Sequence, residues 1–296
     1  MVLVLVAAAV AAYALTRGDT GEVPANGTAI PVPQADGSMV DLRTGEVTPL
    51  PASIATSGDY YAVSPDHTTL AFNACCSTSG PVFAANVDGT QLRQISAIDA
   101  YAAQWSPDGS MLVYQQRDSS TQHLGNLIVQ NVATGQQTQV TNFDQTQRWG
   151  YWATLPSFAP DGRSILFQLP RGDHPNHPIE DLWSVPVTGG TQTLVRRNAF
   201  EGGYSPDGNS LAYLSPISAQ NALWITSLHG GTPRVLVRQG DPGWLRWSPD
   251  GTRISYRDGG SIYVLDVATG SATKVAEGGN AEWFDDNTLT VAYPPD

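Results

Sequence analysis

Cysteine is nearly absent: the chain of 296 residues holds two, and they are adjacent, Cys75-Cys76. Two neighbouring thiols cannot join distant parts of a fold, so a disulfide scaffold is excluded, and no zinc-ligand spacing is present. Cα atoms across a trans peptide lie about 3.8 Å apart, below the usual disulfide range of about 4.4 Å upward. A vicinal Cys75–Cys76 disulfide would therefore be strained, and reduced, buried packing at a strand end is the alternative. Charge is scarce as well. Only 14% of residues are charged, and 27 acidic against 15 basic residues give a net charge of −12. Contact with nucleic-acid phosphates needs a basic patch, which Arg196-Arg197, Arg234 and Arg238 are too sparse to supply, so no nucleic-acid partner is expected. No Gly-x-Ser-x-Gly nucleophile elbow occurs, which removes a peptidase of the α/β-hydrolase kind. No apolar run reaches the roughly 20 residues that a spanning helix needs.

The apolar run at residues 1–15 fits a secretory h-region, with Ala12-Tyr13-Ala14 as a small-x-small cleavage candidate. Its basic flank is missing, so an uncleaved signal anchor, a single N-terminal membrane attachment, is the equal alternative. Both readings place the rest of the chain outside the cytoplasm, whether periplasmic, at the cell surface or secreted. No cysteine lies near the segment, which argues against a lipoprotein anchor. Residues 16–36 are rich in Gly, Pro and Asp and read as a flexible stalk.

What the chain has in abundance is turn chemistry, with 29 glycines and 21 prolines. One tetrapeptide organises it. Ser-Pro-Asp-Gly or a close variant recurs as Ser64-Pro65-Asp66-His67, Ser106-Pro107-Asp108-Gly109, Ala159-Pro160-Asp161-Gly162, Ser205-Pro206-Asp207-Gly208 and Ser248-Pro249-Asp250-Gly251, with a worn copy at Trp283-Phe284-Asp285-Asp286-Asn287. The prolines are 42, 53, 46 and 43 residues apart, the long second interval marking an insertion. A period of this length signals a repeat architecture. Proline presets the second turn position, aspartate bonds nearby backbone amides and glycine takes the tight exit. An aspartate found once per repeat at one turn position is structural, since a catalytic acid is needed once or twice.

Each turn sits between a short segment ending in an aromatic and an alternating apolar one such as Met111-Leu112-Val113-Tyr114. A second half follows, an apolar run and a glycine hairpin, as in Ile262-Tyr263-Val264 before Ala268-Thr269-Gly270. Each repeat is then four antiparallel strands, one propeller blade. Residues 39–46 are a second half without a first, and residues 281–293 a first half without a second. The expected fold is all-β: a six-bladed β-propeller of four-stranded antiparallel blades over residues 37–296, the last blade closed by the N- and C-terminal strands.

Aromatic-Ser-Pro-Asp-Gly, an apolar strand, then Ile-Tyr-Val-x-Asp with Thr-Gly resembles the WD40-like (PD40) repeat of TolB-type propellers, over nearly everything from Gly37 onward. The resemblance implies the fold strongly and the function weakly, because such repeats serve binding proteins, peptidase propellers and lyases alike. TolB proteins also carry an N-terminal α/β domain, which this chain is expected to lack.

Strand order puts the Ser-Pro-Asp-Gly and Thr-Gly turns on one face, leaving the long connections on the other, where function usually sits. Two of those loops are unusual. Arg148-Trp149-Gly150-Tyr151-Trp152 gathers aromatics and a cation, the composition of binding hot spots, although Tyr151 and Trp152 also suit inter-blade packing. The loop from Pro170 to Asp181 holds Arg171, Asp173, His174 and His177, able to bind a metal or titrate near neutral pH, or to be a solvated polar loop. Asp59, Tyr101, Glu201, Asp241 and Trp244 line the rim where blades begin, Glu201 preceding Gly202-Gly203, where a backbone can approach a ligand. No catalytic residue, metal site or cofactor is assigned. The expectation is a monomeric, non-enzymatic extracytoplasmic scaffold binding a protein or cell-envelope component at the long-loop face. The alternative is a propeller enzyme such as a polysaccharide lyase acting there.

Overall fold

A computed structural model describes residues 37–55, 61–73, 80–96, 100–116, 125–143, 155–171, 179–217 and 220–292. The chain enters through β1 (Gly37–Asp41) and β2 (Val47–Pro49), followed by one short helix, α1 (Ala52–Ala55). Five blades follow in order. Blade 1 is β3 (Tyr61–Val63), β4 (Thr69–Asn73), β5 (Val82–Asn86) and β6 (Arg93–Gln94). Blade 2 is β7 (Ala100–Trp105), β8 (Met111–Gln116), β9 (Leu127–Asn131) and β10 (Gln137–Gln139). Blade 3 is β11 (Ser157–Phe158), β12 (Ser164–Arg171), β13 (Ile179–Pro186) and β14 (Thr193–Arg196). Blade 4 is β15 (Phe200–Tyr204), β16 (Ser210–Ile217), β17 (Gln220–Ser227) and β18 (Arg234–Val237). Blade 5 is β19 (Gly243–Trp247), β20 (Arg253–Asp258), β21 (Ser261–Asp266) and β22 (Ala272–Glu277).

The sixth blade is shared between the two ends of the ring. Its order is β2-β1-β24-β23, with β23 (Asn280–Asp285) and β24 (Thr288–Ala292) pairing onto β1 in the register Gly37↔Ala292 through Asp41↔Thr288. The fold is the expected six-bladed β-propeller, closed by strands from both ends. The helix is the departure from the repeat: Ile54 is fully buried and fills the junction between blades 6 and 1 beside Leu50, Leu70 and Phe72.

Middle strands are apolar on both faces, because successive side chains point to opposite neighbours. In β16, Leu211 and Tyr213 pack toward blade 3, while Ala212 and Leu214 pack toward blade 5. Strand β12 does the same, Ile165 and Phe167 toward blade 2 and Leu166 toward blade 4. The described core is accordingly six apolar clusters, one at each junction.

The aromatics at the strand ends work across those junctions. The indole N–H of Trp105 donates to the Ala62 carbonyl at 3.0 Å, that of Trp247 to Gly203 at 2.9 Å and that of Trp283 to Arg246 at 3.0 Å. Each bond joins one blade's innermost strand to the preceding blade's, giving the buried indole N–H a partner.

The repeated turn explains its own composition. In blade 2 the Ser106 hydroxyl donates to Asp108 Oδ1 at 2.7 Å and accepts the Met111 amide at 2.9 Å, while Asp108 takes the Ser110 amide at 3.0 Å. The same relay recurs from Ser64 to Asp66, Ser205 to Asp207 and Ser248 to Asp250, at 2.6, 2.5 and 2.6 Å. The serine hydroxyl is the largest influence holding Asp66, Asp108 and Asp207 below the usual carboxylate range. Blade 3 has Ala159 where blades 1, 2, 4 and 5 have serine, and Asp161 accepts the Arg163 amide at 2.9 Å without a serine hydroxyl beside it. Ala159→Ser should therefore restore the relay and raise stability by about 0.5–1 kcal/mol, a typical net hydrogen-bond contribution. A urea unfolding midpoint above the wild type's checks this, and a lower midpoint would show that the Ala159 site cannot admit the hydroxyl.

Candidate functional site at the channel mouth

Antiparallel order within each blade sends the tetrapeptide turns to one face and the connections between second and third strands, with those between blades, to the other. Innermost strands begin on this second face. There β7, β15 and β19 share a distortion that the sequence does not announce. Register shifts fall between Tyr101 and Gln104, Phe200 and Gly203, and Gly243 and Arg246. Each shift contains a left-handed residue three positions before the strand-end aromatic: Ala102 (φ 54°), Glu201 (φ 45°) and Trp244 (φ 54°), matched by Leu155 (φ 40°) before β11. Non-glycine residues rarely adopt this conformation, and bulges of this kind re-aim a side chain.

Two of the re-aimed side chains are the rim residues Glu201 and Trp244. The Glu201 carboxylate accepts the backbone N–H of Trp244, tying blade 4 to blade 5. Trp244 packs against the apolar cluster that joins blades 1 and 2, so its indole reaches across the ring. Beneath it lies a polar layer. Arg246 Nε donates to Glu282 Oε2 at 2.8 Å, and Gln104 Nε2, from blade 2, reaches the same oxygen at 3.5 Å. Arg246 also stands 6.0 Å from the Trp244 ring centroid, at the edge of cation–π range. The cavity enclosed by Tyr61, Trp244, Arg246, Glu282 and Thr290 is about 10 Å³, room for roughly one water.

A second set of buried groups sits between blades 3 and 4. The Gln168 side chain bridges two carboxyl-bearing residues: its Oε1 accepts the Glu201 amide at 2.7 Å, and its Nε2 donates to Glu180 Oε1 at 3.4 Å. Glu180 is 8% exposed. Burial, reinforced by the neighbouring Glu201 charge, pushes its pKa up to about 8. Burial also raises Glu201, against the lowering effect of the Trp244 amide, Arg246 and Arg257, while Asp241 adds to the rise. Next along β13, the buried Asp181 accepts the Asn198 amide at 2.7 Å and faces Arg171 Nε at 3.5 Å and an Arg197 amino nitrogen at 3.8 Å.

The loop expected from Pro170 to Asp181 is shorter than its sequence suggests. Arg171, expected in a loop, is the last residue of β12 and pairs with Ile179, and Glu180 and Asp181 belong to β13. Cross-strand pairing extends this hairpin through Pro170 and Arg171, leaving residues 172–178 as the connection. Asp241, expected on the rim, accepts the Asn221 side chain at 2.7 Å. Arg148, Trp149, Tyr151, Trp152, Asp173, His174 and His177 lie outside the described residues, as do Asp59, Cys75 and Cys76. Among the described residues no three His, Cys, Asp or Glu gather as metal ligands, and no helix is long and apolar enough to cross a membrane. Glu180, Gln168, Arg246, Glu282 and Gln104 were not singled out from sequence. A signal existed for three of them: Gln104, Arg246 and Glu282 each immediately precede a tryptophan that bonds the neighbouring blade.

No family model matches the chain. A solved TolB-type protein from Agrobacterium tumefaciens superposes with a TM-score of 0.67 at 16% identity, covering 88% of this chain and 99% of that one. The fold is that of a TolB-type propeller. TolB from Acinetobacter baumannii gives 0.60 at 16% identity, over 82% of this chain and 60% of its own. An oligogalacturonate lyase in complex with manganese gives 0.57 at 18% identity, over 92% of this chain and 80% of its own. In sequence, an uncharacterized protein of Agrobacterium fabrum is 27% identical over 135 residues, 42% of this chain and 43% of that protein. The match thus spans less than half of that relative.

The pair at Glu180 and Glu201 carries a pH signature. A carboxyl group kept protonated by the fold favours folding below its unfolded pKa, the usual 4.5 for glutamate, and that contribution is lost as pH rises toward its folded value of about 8. Stability attributable to Glu180 should fall across that window. Glu180→Gln, which keeps the shape without the charge, should melt higher than wild type at pH 8 and converge with it toward pH 4.5. Parallel melting curves across the whole range would show that Glu180 is not held neutral.

Proposed function

We propose that this TolB-type propeller is a non-enzymatic, extracytoplasmic binding scaffold that engages a protein, or another cell-envelope component, at its long-loop face. The observation that carries this reading is the filling of the channel mouth by the chain's own side chains. Trp244 crosses the ring, the Arg246–Glu282–Gln104 layer lies beneath it, and the cavity that Trp244, Arg246 and Glu282 line among the described residues is about 10 Å³, room for roughly one water. Recognition then falls to the surface around the mouth. The contact surface includes the loop bearing Arg148, Trp149, Tyr151 and Trp152, the polar loop with Asp173, His174 and His177, the strand-end residue Arg171, and the rim residues Glu201 and Trp244. In this reading residues 1–15 are a signal peptide or anchor, residues 16–36 a stalk, and the propeller works as a monomer. Two TolB proteins among the fold neighbours support an interaction role.

The second reading is a lyase-like enzyme at the same face. It draws on the fold shared with an oligogalacturonate lyase in complex with manganese, and on the buried Glu180 carboxyl with Glu201 beside it, since perturbed acids cluster at active sites. Pull-down from envelope extracts, comparing wild type with Trp149→Ala, tests the first reading: loss of a captured partner is expected, and unchanged capture would remove the aromatic loop from the contact. A stoichiometric transition metal in the purified protein, together with release of unsaturated products from polyuronate, would favour the second reading instead.

A further inference from the structure

We infer that Arg171, Arg197 and Ile179 form a docking point for an acidic, apolar peptide segment of the partner. This rests on the scaffold reading and gives that face a ligand chemistry. The centre of the patch is Asp181, only 2% exposed and fixed by the Asn198 amide. Asn198 is itself left-handed at φ 55°, and its carbonyl accepts the Ser215 hydroxyl at 2.6 Å. The buried carboxylate thus rests on a pinned backbone and orients two guanidinium groups from separate segments, one ending β12 and one in the connection between blades 3 and 4. Their distances to it, 3.5 and 3.8 Å, are too long for tight forked pairing, and their side chains are 45% and 64% exposed. Two arginines share one carboxylate, so the patch is locally positive on a chain where 27 acidic residues outnumber 15 basic ones. Outward guanidinium N–H groups in a fixed fork suit a carboxylate.

Ile179 supplies the apolar half. It is 48% exposed and lies directly across the ladder from Arg171. The other large exposed apolar side chains among the described residues, Leu92 and Leu228, lie in hairpins of the opposite face. A cation pair beside an aliphatic side chain matches a peptide alternating acidic and aliphatic residues. A uronate chain offers the carboxylate but no side chain for Ile179.

A short fluorescein-labelled peptide of alternating leucine and glutamate, titrated with the full chain at low salt and followed by anisotropy, tests the inference. Its glutamine twin should bind at least about tenfold more weakly, as should the glutamate peptide to R171Q or R197Q, the change that one lost charge-assisted hydrogen bond gives. I179S should also weaken binding, and each variant should retain the wild-type circular dichroism and melting temperature. Absent binding, equal affinity for the glutamine twin, or unchanged affinity in the R171Q/R197Q double variant would overturn the inference. Displacement of the peptide by an oligouronate would overturn it in favour of a sugar ligand. In the envelope pull-down, partners retained by the folded double variant would sink the docking point while leaving the scaffold reading intact. No partner captured by wild type would sink the scaffold reading itself.

Discussion

No blade of this protein can bury both of its faces alone. Alternation along β12 and β16 sends odd and even side chains to different neighbours, so every sheet depends on the sheets on either side. A linear stack would leave two apolar faces open to water. The ring removes both, and pairing of β1 with β24 makes the final junction out of backbone hydrogen bonds as well as side-chain packing. The tryptophan bonds to neighbouring blades and the filling of the 6/1 junction by Ile54 are local answers to the same demand.

The tetrapeptide and the site belong to opposite ends of the ring. At one face, the serine–aspartate relay turns the chain tightly and identically, leaving those carboxylates occupied with backbone amides. At the other face the repeat loosens. Innermost strands bulge, left-handed residues re-aim Glu201 and Trp244, and charged groups from several blades are drawn together. The groups gathered there, such as Gln104, Arg246 and Glu282, differ from blade to blade, because the repeat has stopped enforcing sameness.

That division explains what could be read from the residues alone. The blade count, the closure and the structural role of the turn aspartates were legible because proline, aspartate and glycine act locally and recur at one spacing. Glu201 and Trp244 were singled out because they stand where blades begin, Glu201 just before Gly202-Gly203. Helix α1 was not, since four residues interrupt the repeat without a periodic signature of their own. Nor was the Gln168 bridge: its partners are 12 and 33 residues away, and only strand register brings them together. Arg171 was assigned to the loop that begins at Pro170, whereas the ladder to Ile179 carries the strand through that proline.

The closed blade also sets a direction. Gly37 and Ala292 are ladder partners, and both lie at the end of their strands away from the tetrapeptide turns. The polypeptide therefore joins and leaves the ring side by side, on the same face as the channel mouth. An attachment through either end would meet the ring at the face of the channel mouth, opposite the uniform turns.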